Sequence, residues 1–237
     1  MIQAESLRKW FGGRPAVDGL TFTAVDGAVT GLIGPNGSGK TTTLRLITGL
    51  LRPDGGQVLV DAVDPARDPI KARRGIGALT DGLGNYPRLT TREHLRYFGE
   101  LRRMPAVQLG PRIQLLLDLF DMHGIADRRA QGFSQGERMK LALARAVIDD
   151  PPNILLDEPA NGLDVASVRA LRTLLNGFRA AGKCVLLSSH LMPEVSAVCD
   201  TVVVVARGKA VAQGTPAELM RLSNARSLEE AFVELTA

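Results

Sequence analysis

Short apolar runs alternate with stretches of helical spacing along this chain. Residues 2–7 alternate loosely and predict an edge strand. Residues 29–33 are a short apolar run that ends in a glycine-rich turn. Residues 41–51 then take helical spacing, with Leu44, Ile47 and Leu51 on one stripe. Arg52-Pro53-Asp54-Gly55-Gly56 reads as a turn, with a strand over 57–60 after it and another over 76–79. The runs at 154–156, 185–187 and 201–205 are continuous, as in a parallel sheet covered on both faces. Helical segments separate them, so the class is α/β. Thr215-Pro216-Ala217-Glu218 starts a helix, with Thr as N-cap, Pro at the first helical position and Glu closing a capping box. Ser227-Leu228-Glu229-Glu230 repeats the signal, and Leu228, Phe232 and Leu235 form a stripe that docks the last helix on the body.

Residues 90–130 break the alternation. They are helical and strand-free, with Leu95, Phe98 and Leu101, then Leu116, Leu119 and Met122, recurring every three residues. The chain therefore reads as one domain over 1–237. Residues 88–131 form a helical subdomain inserted between 1–87 and 132–237, bordered by Pro87 and Gly132.

Composition narrows the picture. Of 237 residues, 45% are hydrophobic and 23% charged, which excludes bulk disorder. The net charge of +4 is too small, and the aromatic share of 4% too low, to argue for nucleic acid. Cys184 and Cys199 are too few for a disulfide framework or a zinc site and read as buried free thiols. No apolar run approaches the roughly 18 residues of a spanning helix. Glu5, Arg8 and Lys9 near the start exclude a secretory signal. The expectation is a cytoplasmic protein that meets a membrane only through a partner.

The chemistry begins at Gly34-Pro35-Asn36-Gly37-Ser38-Gly39-Lys40-Thr41, which matches G-x-x-x-x-G-K-[ST] between a strand and a helix. Its backbone N–H groups and the helix N-terminus suit phosphate oxygens. Lys40 is expected to reach the β- and γ-phosphates and Thr41 to hold Mg²⁺, with Thr42 also in the nucleotide site. Residues 153–159 are an apolar strand ending in Asp157 and Glu158. Strand ends of a parallel sheet face the ligand crevice, which places Asp157 for Mg²⁺. Glu158, pointing the other way, is placed to orient or deprotonate water. These residues predict a nucleoside triphosphatase.

Three further motifs choose the kind. Phe133-Ser134-Gln135-Gly136-Glu137 precedes a helix, Asn161-Gly162-Leu163-Asp164 follows the acidic pair, and Ser188-Ser189-His190 ends the next strand. Together with the phosphate loop they resemble the ATP-binding cassette (ABC) superfamily, from Leu7 to about Glu218. Within it, the wording FSQGERMKLALARAVIDDPPNILLDEPANGLDV is most similar to the ATP-binding subunits of bacterial sodium exporters. The resemblance implies a P-loop NTPase core of the RecA-like type with a small N-terminal antiparallel β region. It implies ATP and Mg²⁺ as ligands and a head-to-tail pair of cassettes. Ser134 and Gly136 would then meet the γ-phosphate held by the second cassette. Asp164 would cross the interface, and His190 would contact the γ-phosphate. Phe11 would stack on adenine, with Trp10 as runner-up. His94 and His123 lack such context and read as surface residues.

Two positions depart from the superfamily pattern. Asp81 stands where a Mg²⁺-ligating Gln is usual, and a shorter, charged oxygen ligand is expected to sense Mg·ATP there. Glu137 either caps its helix through Ser134-x-x-Glu137 or repels a nearby γ-phosphate unless turned away or offset by Arg138. The resemblance further implies a separate transmembrane permease docking near residues 81–86 and 90–97, an ATP-induced homodimer, and a place on the cytoplasmic face of the cell membrane. Sodium is the expected cargo, with drugs, lipids or polysaccharides as alternatives. A soluble mechanical ABC ATPase fits less well, because the chain has one phosphate loop and no long coiled coil. A GTPase would need a guanine-reading NKxD, which is missing.

Overall fold

The computed structural model describes residues 1–80 and 84–236. The chain opens with β1 (Ile2–Phe11), β2 (Arg14–Ala24) and β3 (Ala28–Ile33), and β3 runs into α1 (Lys40–Ile47). β4 (Gly55–Val60), α2 (Pro69–Arg74) and β5 (Ile76–Leu79) follow, then α3 (Thr91–Leu101) and α4 (Ala106–Leu119). The second half alternates: α5 (Gln135–Ala146), β6 (Asn153–Asp157), α6 (Val165–Ala180), β7 (Cys184–Ser189), α7 (Met192–Val198) and β8 (Thr201–Ala206). It closes with β9 (Lys209–Gly214), α8 (Pro216–Leu222) and α9 (Leu228–Thr236).

Two sheets result. β2-β1-β4 is antiparallel, and β5-β6-β7-β3-β8-β9 is parallel up to β8, with β9 antiparallel at its edge. β1 is therefore the central strand of its sheet and not the expected edge strand. Alternation reports a buried face but not the number of neighbours, and β1 pairs on both sides.

The parallel sheet is buried on both faces, which is why its strands are continuously apolar. Val202 and Val204 join a cluster with α5, α6 and α7, while Val203 and Val205 join another with α1 and the three-stranded sheet. Each buried Val contributes about 1.5–3 kcal/mol of transfer free energy. Cys184 and Cys199 are buried free thiols, and burial pushes them to about 11 and about 12 respectively. Both therefore stay protonated and unreactive at neutral pH.

α1 ends at Ile47, four residues short of the expected end. Leu50 N and Leu51 N both donate to Arg45 O, so the chain folds back there. Leu51 still packs against the same core cluster. In α3 and α4 the three-residue spacing drifts around the helix: Leu95 and Leu116 are buried, whereas Leu101 and Leu119 are exposed. The expected capping box at Thr215 forms, and Thr90 forms another with Glu93.

Candidate active site

β6, β7 and β3 are neighbours in the sheet, so their carboxyl ends converge. Asp157 pairs with Ser188, and Ile33 with Ser189. The phosphate loop leaves β3, the two carboxylates leave β6, and His190 follows β7. The strand order alone brings these residues to one crevice.

The loop is held open from beneath. A Cβ on Gly34 would lie 2.3 Å from Val205 O, and one on Gly39 would lie 2.3 Å from Ala16 O. Both positions are backed by main chain, so the loop closes around a cradle with no room for side chains at Gly34 or Gly39. Gly37 opens toward free space. Ser38 Oγ is buried without a hydrogen-bond partner among the described residues. A buried unpaired hydroxyl in this loop fits a polyanionic ligand. Lys40 lies within the cradle, its Nζ donating to Gly34 O at 2.7 Å and to Pro35 O at 3.3 Å. It also stands 3.7 Å from Glu158 Oε1.

The carboxylates have separate partners. Thr41 Oγ1 donates to Asp157 Oδ2 at 2.8 Å, and Ser188 Oγ donates to Asp157 Oδ1. Glu158 turns away through a left-handed backbone, φ +48°, and its Oε2 meets His190 Nδ1 at 2.7 Å. A non-glycine residue in that region costs about 1–3 kcal/mol and is sustained by its surroundings. Here Glu158 N donates to Ser188 Oγ at 3.0 Å and to Ser188 O at 3.2 Å. Ser188 thus holds the Asp157 carboxylate and the Glu158 backbone, a role that sequence reading did not assign although Ser188 stood in the quoted motif.

The donor set suits Mg²⁺. Thr41 and Asp157 offer two hard oxygens, and no cluster of three or more His, Cys, Asp or Glu occurs among the described residues. Mg²⁺ is usually held by one or two protein oxygens together with substrate phosphates. Asp81, the third expected ligand, lies outside the described residues.

Ser134, Gly136 and Asp164 form a second cluster. Ser134 caps α5 and Asp164 caps α6, with Asp164 Oδ1 accepting from Ser167 N at 2.7 Å. A Cβ on Gly136 would lie 2.6 Å from Ser167 Oγ, so the two helix starts abut. Among the described residues none of their hydrogen bonds reaches the phosphate loop. Glu137 is a capping residue: its Oε2 accepts from Ser134 N at 2.8 Å and its Oε1 from Arg128 Nη1 at 2.9 Å. The offsetting cation is Arg128, not Arg138. Arg128 lies nine residues upstream, beyond any helical pairing rule. Burial raises the Glu137 carboxyl, but the Ser134 N–H and Arg128 outweigh it and hold it below the usual range. The cap is thus fully present above about pH 4.5 and is lost as pH falls through the lowered value. Glu137→Gln is expected to lower the melting temperature at neutral pH while leaving ATPase activity unchanged, measured by thermal unfolding and phosphate release. Faster ATP-driven dimerisation would instead mean that the carboxylate repels nucleotide.

The remaining expectations separate. Phe11 and Trp10 are both exposed, at 50% and 44%, where β1 turns into β2. Trp10 N is tied to Asp54 Oδ2 at 2.7 Å, and Lys9 Nζ sits 5.7 Å over the Phe11 ring. His123 is exposed and meets Asp118 at 2.6 Å. His94 is not a surface residue: it is 0% exposed, with the Tyr86 ring 5.9 Å from its own and the Tyr86 N–H bonded to its Nε2.

Comparison with known proteins identifies the family. Residues 17–161 match the family described as ABC transporter. The ABC transporter ATP-binding protein NatA of Bacillus subtilis (strain 168) is 39% identical over 219 residues, which is 92% of this chain and 89% of that protein. The lipopolysaccharide export system ATP-binding protein LptB of Haemophilus influenzae is 35% identical, over 93% of this chain and 92% of that one. A solved ATP binding subunit of an ABC transporter superposes with a TM-score of 0.91 at 30% identity, over 100% of both chains. By its family match and these relatives the chain belongs to the ABC transporter family, whose ATP-binding cassettes hydrolyse ATP.

Proposed function

We propose that this chain is the energising subunit of a membrane exporter, working on the cytoplasmic face as one of two identical cassettes. The observation that carries the reading is the convergence of Lys40, Thr41, Asp157, Glu158 and His190 at three adjacent strand ends. N–H groups of residues 36–42 receive the triphosphate, with Lys40 on the β- and γ-phosphates. Mg²⁺, held by Thr41 and Asp157, would neutralise charge on the phosphates. Glu158 accepts the proton of the attacking water. His190 holds the Glu158 carboxylate through Nδ1, and it contacts the γ-phosphate through Nε2 in the form that carries hydrogen on both ring nitrogens. Phe11 stacks on adenine. In the pair, the α5 N-terminus at Ser134 and Gly136 faces the other cassette's γ-phosphate, and Asp164 lines the interface.

The pathway must come from a partner, because among the described residues no helix is long and apolar enough to cross a membrane. A groove of about 850 Å³, lined by Tyr86, Pro87, Arg88, Leu89, Tyr97 and Gln131, is the surface we assign to the permease. It shares Tyr86 and Tyr97 with the residues expected from the sequence and adds Pro87, Arg88, Leu89 and Gln131.

Sodium is the favoured cargo, on the resemblance of residues 133–165 to sodium-exporter cassettes. Inverted membrane vesicles from the source test it. Those carrying this chain should accumulate sodium with ATP, and those carrying Glu158→Gln should not. Equal uptake with ATPase activity retained in the parent would remove sodium and leave a lipid, polysaccharide or drug as cargo.

A further inference from the structure

His94 is a buried titratable group that the nucleotide chemistry does not use. Its Nε2 accepts from the backbone N–H of Tyr86 at 2.7 Å, and its Nδ1 lies 3.0 Å from Thr90 O. A carbonyl can only accept and an N–H can only donate, so Nδ1 carries the proton and Nε2 the lone pair. The contacts therefore define one neutral tautomer. An imidazolium, protonated on both nitrogens, would set N–H against N–H at Tyr86 and break that bond.

The surroundings fix the direction of titration. Burial pushes His94 below its ordinary 6.5; the Thr90 carbonyl pulls it back up, Arg145 of α5 opposes the proton, and Glu93 on the same helix favours it. Glu93 spends one oxygen on Thr90 N at 2.8 Å and faces Arg129. The phenol-bearing ring of Tyr86 also lies beside it, 5.9 Å between centroids, and Tyr97 in turn packs edge-on against Tyr86. The neutral form thus holds fully above about pH 6.5 and is lost as pH falls through the lowered value.

The neighbouring backbone shows what would move. Gly84 O is held by Arg145 Nη1 at 2.8 Å, and Pro87 O and Leu89 O accept from Gln131 N and Ala130 N at 3.0 Å each. Tyr86 sits between these anchors, and its N–H is held by His94. The Tyr86 side chain forms one wall of the groove of about 850 Å³.

We propose that His94 is an acid-sensitive latch: neutral, it ties Tyr86 to α3, and protonated, it frees Tyr86 and so loosens the groove wall that the permease contacts. This rests on the permease reading of that groove. It makes His94 a positioning residue between the membrane partner and the cassette, with no part in ATP chemistry itself.

Two measurements separate the latch from the reading beneath it. The first is amide hydrogen exchange of Tyr86 in the full chain, corrected for the intrinsic pH dependence and compared with His94→Asn, which keeps an acceptor oxygen but does not titrate. Between about pH 7.5 and about pH 5.5 the parent should lose about tenfold in Tyr86 protection and His94→Asn should not. His94→Gln replaces it if the Asn form does not fold. Equal protection at both pH values in the parent would overturn the latch. The second is membrane-stimulated ATPase, using source membranes stripped of this chain and reloaded with parent or variant. Acid should lower the stimulated rate of the parent relative to His94→Asn and leave the unstimulated rates alike. Loss of Tyr86 protection with identical stimulated profiles would overturn the groove as the permease contact.

Discussion

A Glu158→Gln cassette is expected to bind ATP as tightly as the parent chain and to turn it over about 10²- to 10⁴-fold more slowly. The amide has the volume of the carboxylate and can keep a hydrogen bond to His190 Nδ1, which now lies 2.7 Å from Glu158 Oε2. It cannot take a proton from water. The backbone supports the assignment independently of the side chain. Glu158 is held at φ +48° by two bonds to Ser188, a conformation a non-glycine residue keeps only where its neighbours enforce it. That turn separates Glu158 from Asp157, so one carboxylate serves the Thr41 side and the other faces His190 and Lys40. Binding of a fluorescent ATP analogue and phosphate release read the two effects separately. Size-exclusion chromatography should show the variant trapped as an ATP-bound dimer. Turnover at the parent rate would remove Glu158 as the base.

What was legible beforehand, and what was not, follows from the range over which each signal acts. The phosphate loop could be read because phosphate binding demands small residues and one Lys in a contiguous stretch. The paired carboxylates could be read because they end an apolar strand. β2 was missed since Pro15, Asp18 and Gly19 interrupt it, although Leu20, Phe22 and Ala24 alternate inward as a strand should. β9 was missed because its apolar positions are only part-buried at a sheet edge. His94 was misplaced because a lone His carries no periodic signal, and its burial depends on Tyr86 arriving from another segment. Arg128 failed for the same reason: its pairing with Glu137 is tertiary.

Gly39→Ala is expected to abolish detectable ATP binding and also to destabilise the fold, by about 2–4 kcal/mol. Two independent obstacles meet there. Gly39 sits at φ +109°, a conformation that side chains rarely adopt, and its added Cβ would lie 2.3 Å from Ala16 O. That oxygen is main chain of β2, so relief requires moving the strand or collapsing the loop. Either movement shifts the start of α1, because Thr43 N and Thr43 Oγ1 both bond Gly39 O at 2.9 Å. Lys40 and Thr41 are then displaced together. Gly182→Ala is the control: it has a similar positive φ, +75°, with nothing within 4 Å of its Cβ. It should cost about 1 kcal/mol and leave ATP binding intact. Lys40→Ala completes the comparison, since it changes no glycine conformation and adds no Cβ clash; it should lose turnover, and because its Nζ donates to Gly34 O and Pro35 O it should lower the unfolding free energy by about 1–2 kcal/mol. Denaturant unfolding and nucleotide titration on all three variants give the pattern. If Gly39→Ala unfolds like Gly182→Ala and still binds ATP, the close backing of the loop by β2 does not shape the site.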